Sequence, residues 1–74
     1  MSALIRDFGA RVRLLRETHA WSQEQLAERA GLNRSYVGEI ERGTVIASIV
    51  TAEKLARALH VPIATLLPGA ALLS

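Results

Sequence analysis

The sequence contains no cysteine, which excludes disulfide bonds, thiolate metal ligands and thiol catalysis. Aromatic residues make up only 4% of the chain, and no segment alternates apolar and polar residues over six positions, so signals for β-strands are almost absent. The longest apolar run, residues 61–73, contains both prolines and is too short to cross a bilayer. Charged residues interrupt the first apolar stretch, so no signal-peptide core is expected. These absences predict a soluble, cytoplasmic protein with no membrane partner.

The chain is short and carries little net charge. It has 74 residues, half of them apolar, with nine basic and seven acidic residues. This length predicts one domain spanning residues 1–74, and the apolar content argues against intrinsic disorder. All but one of the basic residues are arginine, whose guanidinium binds phosphate and guanine with two hydrogen bonds. The arginine content favours contact with nucleic acid, although a codon bias explains it equally well.

Helical spacing of apolar residues recurs along the chain and predicts an all-α fold of five helices. A capping box formed by Ser22 and Gln25 is expected to begin the second helix, and Asn33 and Ser48 are candidate N-caps of the third and fourth. Pro62 suits the first position of a last, short helix. The predicted helices span residues 3 to about 18, 22–31, 34 to about 42, 48–60 and 62–67.

Residues 22–43 have the shape of a helix-turn-helix motif, because two short helices are joined by a tight turn that Gly31 opens. In such motifs the second helix enters the DNA major groove and presents its first turn to base edges. A helical wheel gives this helix one polar half, in which Gly38 leaves room for a backbone to approach closely. An ordinary solvated helix face is the alternative interpretation.

Several residues of the motif could contact DNA. Arg34 can bind guanine O6 and N7, and Ser35 can bond to almost any base edge or to a phosphate. Glu39 either accepts a hydrogen bond from cytosine or repels incorrect sequences. Tyr36 can pack in the core or reach a phosphate, and Gln23 is either a phosphate contact or a solvated residue of the capping region. The predicted DNA-contacting residues are Gln23, Asn33, Arg34, Ser35, Tyr36, Glu39 and Arg42.

Glu41 falls on the core side of the third helix, where an unpaired carboxylate is costly to desolvate. Arg16 flanks the apolar stripe of the first helix and is the candidate partner. Such a pair would join the first helix to the third. The alternative is that the Glu41 carboxylate extends to water.

Three segments together resemble one known family. They are Ser22-Gln23-Glu24-Gln25-Leu26-Ala27 with Gly31, Tyr36-Val37-Gly38-Glu39-Ile40-Glu41-Arg42-Gly43, and Leu55-Ala56-Arg57-Ala58-Leu59. The chain is similar over residues 8–67 to the Cro and phage-repressor type of helix-turn-helix protein, also called the xenobiotic-response-element family. The resemblance implies a five-helix, lambda-repressor-like domain that binds an inverted-repeat operator as a homodimer formed largely through its C-terminal helices.

The resemblance also implies residue roles. Gln23 matches the family's phosphate-contacting glutamine, and the base-reading positions fall on Arg34, Ser35 and Glu39. Arg16 and Glu41 match a buried ion pair of the phage repressors. The length of the chain and the start of its third helix are similar to those of the controller proteins of restriction-modification systems, which implies possible control of restriction-modification genes.

The loop after the third helix departs from the family pattern. Many relatives have Arg-Asn-Pro there, whereas this chain has Val45-Ile46-Ala47. Loss of that cation and amide implies fewer phosphate contacts, or a loop that packs against the dimer partner or another protein. The rival interpretation of the chain is accordingly a protein-interaction or antitoxin-like module that holds a partner protein on residues 45–49 and the apolar tail.

Residues 61–74 form the predicted dimerisation region, with Ile63, Leu66 and Leu67 at the interface. The alternative for these three residues is packing within their own chain. His19 and His60 have no carboxylate nearby at ligand spacing, so no metal site is expected. No acid and base are paired in a cleft, and the sequence therefore predicts neither enzymatic activity nor a cofactor or small-molecule ligand.

Overall fold

The computed structural model describes residues 3–67, which form four α-helices and one short 3₁₀ turn. The elements are α1 (Ala3–Thr18), α2 (Gln23–Ala30), α3 (Arg34–Arg42), α4 (Ile49–Leu59) and the 3₁₀ turn (Ile63–Leu66). No strand occurs within this part of the chain, so the prediction of an all-α fold is confirmed. None of these helices has the length and apolar character needed to cross a membrane.

The predicted fifth α-helix is only the four-residue 3₁₀ turn. Pro62 precedes the turn in an extended conformation, and Leu67 ends it with φ −103° and ψ 95°. Leu67 is itself followed by Pro68, and a residue before proline disfavours the α region. The two prolines therefore leave room for one turn and no more.

Local sequence determines how α2 begins and ends. The Ser22 hydroxyl accepts a hydrogen bond from the Gln25 backbone N–H at 3.1 Å, and the Gln25 side chain accepts one from the Ser22 N–H at 2.8 Å. This is the predicted capping box. Gly31 follows α2 with φ 69°, a left-handed conformation that favours glycine. The Asn33 side chain then accepts from the Ser35 N–H at 2.7 Å and begins α3, so the turn of the helix-turn-helix is defined by its own residues.

The hydrophobic core draws on every element. Its buried members are Phe8, Val12, Leu26, Ala27, Ala30, Val37, Ile40, Ala52, Leu55, Ala56, Leu59 and Leu66. α1 packs against α3, and α2 packs against both α3 and α4. One face of α3 is thereby fixed on the core while its other face is left to solvent.

Gly9 allows α1 to lie very close to the end of α3. A Cβ atom at this position would collide with the backbone carbonyl oxygen of Ile40 and lie 2.9 Å from that of Glu41. Only glycine fits here without displacement of backbone atoms. This close contact brings Arg16, two turns further along α1, alongside the C-terminal half of α3.

Candidate nucleic-acid interface

α3 divides into the two faces that its sequence predicts. Val37 and Ile40 are buried in the core, whereas Arg34, Ser35 and Arg42 are exposed. Arg34 and Ser35 occupy the first turn, immediately after the Asn33 cap. The start of α3 therefore presents a cation and a hydroxyl to solvent on a well-anchored helix.

Gly38 marks the point where α2 and α3 approach each other on this surface. A Cβ atom at Gly38 would lie 3.2 Å from Arg42 Nη1 and 3.4 Å from Gln23 Oε1. Gly38 is buried, so the open space expected above this glycine is instead covered by side chains of the same chain. The glycine allows the amide of Gln23 and the guanidinium of Arg42 to converge from two helices.

The predicted ion pair is present. Arg16 Nε lies 2.8 Å from Glu41 Oε2, and Arg16 Nη2 lies 3.0 Å from Glu41 Oε1, so the contact is bidentate. The Glu41 side chain is 3% exposed and the Arg16 side chain 12%. Hydrogen bonding to Glu41 raises the pKa of Arg16 above its usual value, despite the opposing effect of burial. Arg16 also donates to the Trp21 backbone oxygen at 2.8 Å, which anchors the segment before α2.

Glu41 has a second partner that sequence reasoning did not find. Gln23 Nε2 donates to Glu41 Oε1 at 3.0 Å. The carboxylate therefore holds both the guanidinium of α1 and the amide at the N-terminus of α2. No spacing in the sequence signals this contact, because it joins residues of different helices and depends on how the helices pack. The amide of Gln23 consequently has a defined orientation at the point where α2 begins.

The remaining candidate residues are divided between structural and solvent-facing positions. The side-chain oxygen of Asn33 is occupied as the α3 cap, which leaves its amide N–H groups available. Tyr36 is half-buried and packs against the core cluster, in agreement with the packing alternative. Glu39 is also half-buried, and its backbone oxygen accepts from the Thr44 hydroxyl at 3.1 Å.

The loop between α3 and α4 is only partly buried. Val45 and Ala47 pack against the core, while Ile46 is 71% exposed. Together with Leu4 and Ile49, these residues line an open apolar groove beside the N-terminus of α1. The loop carries no basic residue, so the phosphate contacts implied for relatives with arginine there have no counterpart.

The predicted dimer residues differ in accessibility. Leu66 is fully buried within its own chain, so the alternative of intrachain packing applies to it and no surface remains for a partner. The reason is that the 3₁₀ turn folds back on α1 and α4. Ile63 and Leu67 are half-buried and keep part of their surface. The rest of the predicted dimerisation region, residues 68–74, lies outside the described residues.

Comparison with known proteins agrees with this geometry. The control protein C.BamHI of Bacillus amyloliquefaciens is 44% identical over 55 residues, which cover 73% of this chain and 68% of that protein. The crystal structure of the restriction-modification controller protein C.AhdI from Aeromonas hydrophila matches with a TM-score of 0.86 and 45% identity, covering 89% of this chain and 100% of the other.

A third similar protein was solved with nucleic acid. The structure of SinR, from Bacillus subtilis, in complex with DNA matches with a TM-score of 0.77 and 37% identity, covering 80% of this chain and 95% of the other. Three curated relatives are longer proteins, and this chain spans 36%, 47% and 40% of their lengths. A family model described as helix-turn-helix matches residues 12–66, which is most of the chain. The chain therefore belongs to this helix-turn-helix family, HTH_3, whose members include DNA-binding transcription regulators.

Proposed function

We propose that this protein is a sequence-specific transcription regulator that inserts α3 into the DNA major groove. The observation that carries the proposal is the exposed face of α3, whose start is capped by Asn33 and whose second half lies beside the N-terminus of α2, where Glu41 orients the Gln23 amide at 3.0 Å. Helix-turn-helix proteins use this pair of helix ends to contact bases and the DNA backbone. The similarity to SinR, which was solved in complex with DNA, supports the same mode of binding.

Within this proposal the exposed side chains take two roles. Arg34 donates two hydrogen bonds to a guanine, Ser35 bonds to a neighbouring base edge, and Glu39 selects for cytosine or against incorrect sequences. The other predicted side chains would donate hydrogen bonds to phosphate oxygens of the DNA and so position the protein on the duplex. They are Gln23, Asn33, Tyr36 and Arg42. The Gln23 amide is the best oriented of these groups because Glu41 already holds one of its hydrogens.

We further propose that the protein acts in the cytoplasm as a homodimer on an inverted repeat. Half-sites would then be separated by one helical turn of DNA, roughly 34 Å. The exposed parts of Ile63 and Leu67 would form the described portion of the interface. Similarity to C.BamHI and C.AhdI supports control of restriction-modification genes as its biological role.

The test begins with selection of bound fragments from random-sequence DNA, followed by affinity measurements on the selected operator and on a scrambled duplex. Arg34→Ala should weaken operator binding by ~1 to 3 kcal/mol and relax the preference at one base pair. Arg13→Ala is the matched control, because Arg13 is an exposed cation on α1 that pairs with Glu17 at 3.2 Å. If Arg34→Ala binds both duplexes as the unmodified protein does, α3 does not read bases.

A second function is favoured by one observation, the apolar groove beside α1. Ile46 and Ile49 are 71% and 74% exposed there, which is unusual for large apolar side chains grouped on a small domain. A protein-interaction module whose main ligand is a partner protein would account for this surface. That function predicts that selection from random DNA enriches no operator, whereas the transcription regulator enriches one.

A further inference from the structure

A cleft between α2 and α4 collects positive charge away from α3. Six residues line it: Arg29, Ala30, Lys54, Arg57, Ala58 and His60. Three of them are basic, namely Arg29, Lys54 and Arg57, and none is acidic. The exposed surface of α3, by contrast, carries the two arginines Arg34 and Arg42. Among the described residues, the exposed surface of α3 therefore carries fewer basic residues than this cleft.

Among residues 3–67, the cations of this basic cleft have no close carboxylate partner. Arg57 approaches Glu53 at 4.0 Å, and both side chains are largely exposed, at 80% and 60%. Exposed pairs of this kind contribute little, since water and salt screen them. Arg29 and Arg57 lie in the last turns of their helices, where a cation interacts favourably with the helix dipole. The dipole does not account for Lys54, which lies in the middle of α4, or for the convergence of three cations.

Arg29 is held in place before any ligand binds. Its guanidinium lies 4.4 Å from the centre of the Trp21 ring, in a cation–π contact. The Trp21 ring stacks on His19 at 4.2 Å with an interplanar angle of 14°. His19 Nε2 in turn forms a hydrogen bond of 3.1 Å with the backbone oxygen of Leu59, at the end of α4. One wall of the cleft is thus preorganised, which reduces the entropy lost when an anion is bound.

We propose that the basic cleft is a docking site for an acidic segment of a partner protein. Its charge requires an anionic occupant, and its open, shallow form suits a polypeptide carrying several carboxylates better than an enclosed small molecule. The two alanines between the cations leave space for a backbone. α2 packs against both α3 and α4, whereas α3 and α4 pack little against each other, so α2 separates the cleft from the DNA-reading surface. The partner and DNA are therefore bound at the same time.

The proposal is tested by adding a labelled oligoglutamate peptide to the full chain. The backbone amide resonances of the protein are followed during the titration. The resonances that move should belong to residues 29–30 and 54–60, both in the free protein and with the selected operator bound. Lys54→Glu with Arg57→Glu should weaken peptide binding roughly tenfold, because two attractions become repulsions. Arg11→Glu with Arg13→Glu makes the same change in net charge on α1 and should leave peptide affinity within about twofold.

Lys54→Gln with Arg57→Gln provides the same test with a smaller perturbation of the fold, and should weaken peptide binding by an intermediate factor. Equal losses in the α4 and α1 double variants would overturn the proposal, since the peptide would then respond to net charge alone. Movement of α3 resonances in place of those of the cleft would also overturn it. A lower salt dependence of operator binding in the α4 double variant would identify DNA as the occupant and contradict a partner protein.

Discussion

Glu41 links the stability of the fold to the orientation of Gln23, a residue proposed to contact DNA. Its two oxygens bind the Arg16 guanidinium at 2.8 and 3.0 Å, and one of them also accepts from the Gln23 amide. The side chain is 3% exposed, so water replaces neither partner. A change at this residue should consequently affect unfolding and DNA binding together, although the Glu41 side chain itself is buried.

Replacing Glu41 by glutamine should lower the free energy of unfolding by about 2 kcal/mol, because Arg16 keeps its charge but loses its ionic partner. Operator and scrambled duplexes should both be bound more weakly, since the substituted side chain keeps only one acceptor oxygen for the Arg16 and Gln23 donors and so holds the Gln23 amide less firmly. Thermal denaturation and binding assays measure the two effects. Glu17→Gln is the control: it removes the exposed pair with Arg13 and should change stability by less than about 0.5 kcal/mol. An unchanged melting temperature for Glu41→Gln would mean that the buried pair does not stabilise the fold.

Ala20 ends the α1 segment in a conformation that does not suit its side chain. Its φ is 60°, in the left-handed region, where a residue with a Cβ atom loses roughly 1 kcal/mol or more relative to glycine. Ala20→Gly should therefore stabilise the protein by about 0.5 kcal/mol, after the added freedom of the unfolded chain is subtracted. Chemical denaturation measures the change. Ala10→Gly changes an exposed position within α1 and should lower the free energy of unfolding. A similar loss of stability in both variants would show that Ala20 is not strained.

At the scale of helices, the ends of α2 and α3 were the most predictable features. The capping box of Ser22 and Gln25 and the glycine after each helix act over three or four residues, so their pattern is visible in the sequence. The buried and exposed faces of α3 were also predictable, because the helical period places residues three and four apart on the same face. The last short helix, predicted over residues 62–67 from the position of Pro62, is a 3₁₀ turn over Ile63–Leu66, because Leu67 precedes Pro68 and a residue before proline disfavours the α region.

The close approach of α1 to α3 at Gly9 could not be predicted, because it depends on tertiary contact. Gly9 looks like an unfavourable residue within a helix, yet it is the position at which α1 meets the carbonyl groups of Ile40 and Glu41. The Gln23–Glu41 contact was missed for the same physical reason, whereas the Arg16–Glu41 pair was found because a carboxylate on a core face requires a cation. The cation–π contact between Arg29 and Trp21 likewise joins residues whose proximity the sequence does not show.

Gly9→Ala should destabilise the protein by ~2 kcal/mol, because the added methyl group forces the backbones of α1 and α3 apart. The gain in helix propensity is smaller than this steric cost. Gly31→Ala is a useful comparison, since a Cβ there meets nothing within 4 Å and only the φ of 69° is unfavourable. Melting temperatures of both variants should fall, with Gly9→Ala the lower. A Gly9→Ala protein as stable as the unmodified chain would show that the two helices can separate without loss.

At the scale of the whole molecule, the described residues complete their own core, and Leu66 belongs to it. The proposed dimer would therefore use the surface that Ile63 and Leu67 still expose. The apolar groove shares Leu67 with that surface, whereas the basic cleft is lined by other residues. The regions proposed for DNA, for a second copy and for an acidic partner segment therefore consist of different residues.

Ile63→Glu should weaken self-association about tenfold or more, because a charge is placed where an apolar contact is proposed. Analytical ultracentrifugation over a concentration series measures the dimer dissociation constant, and binding to a half-site should change much less than binding to the full inverted repeat. Leu14→Glu is the control, since Leu14 is 62% exposed on α1. A protein that is monomeric at micromolar concentration with and without operator would remove the proposed dimer.

We propose above that the exposed face of α3 and the N-terminus of α2 bind DNA. The decisive measurement is the salt dependence of binding to the selected operator and to a scrambled duplex. The affinity for both should fall steeply and linearly on a logarithmic scale as salt rises, with a slope of about −0.9 for each phosphate neutralised, while the operator stays the tighter ligand throughout. Equal and nearly salt-independent affinities for the two duplexes would contradict a DNA-reading function.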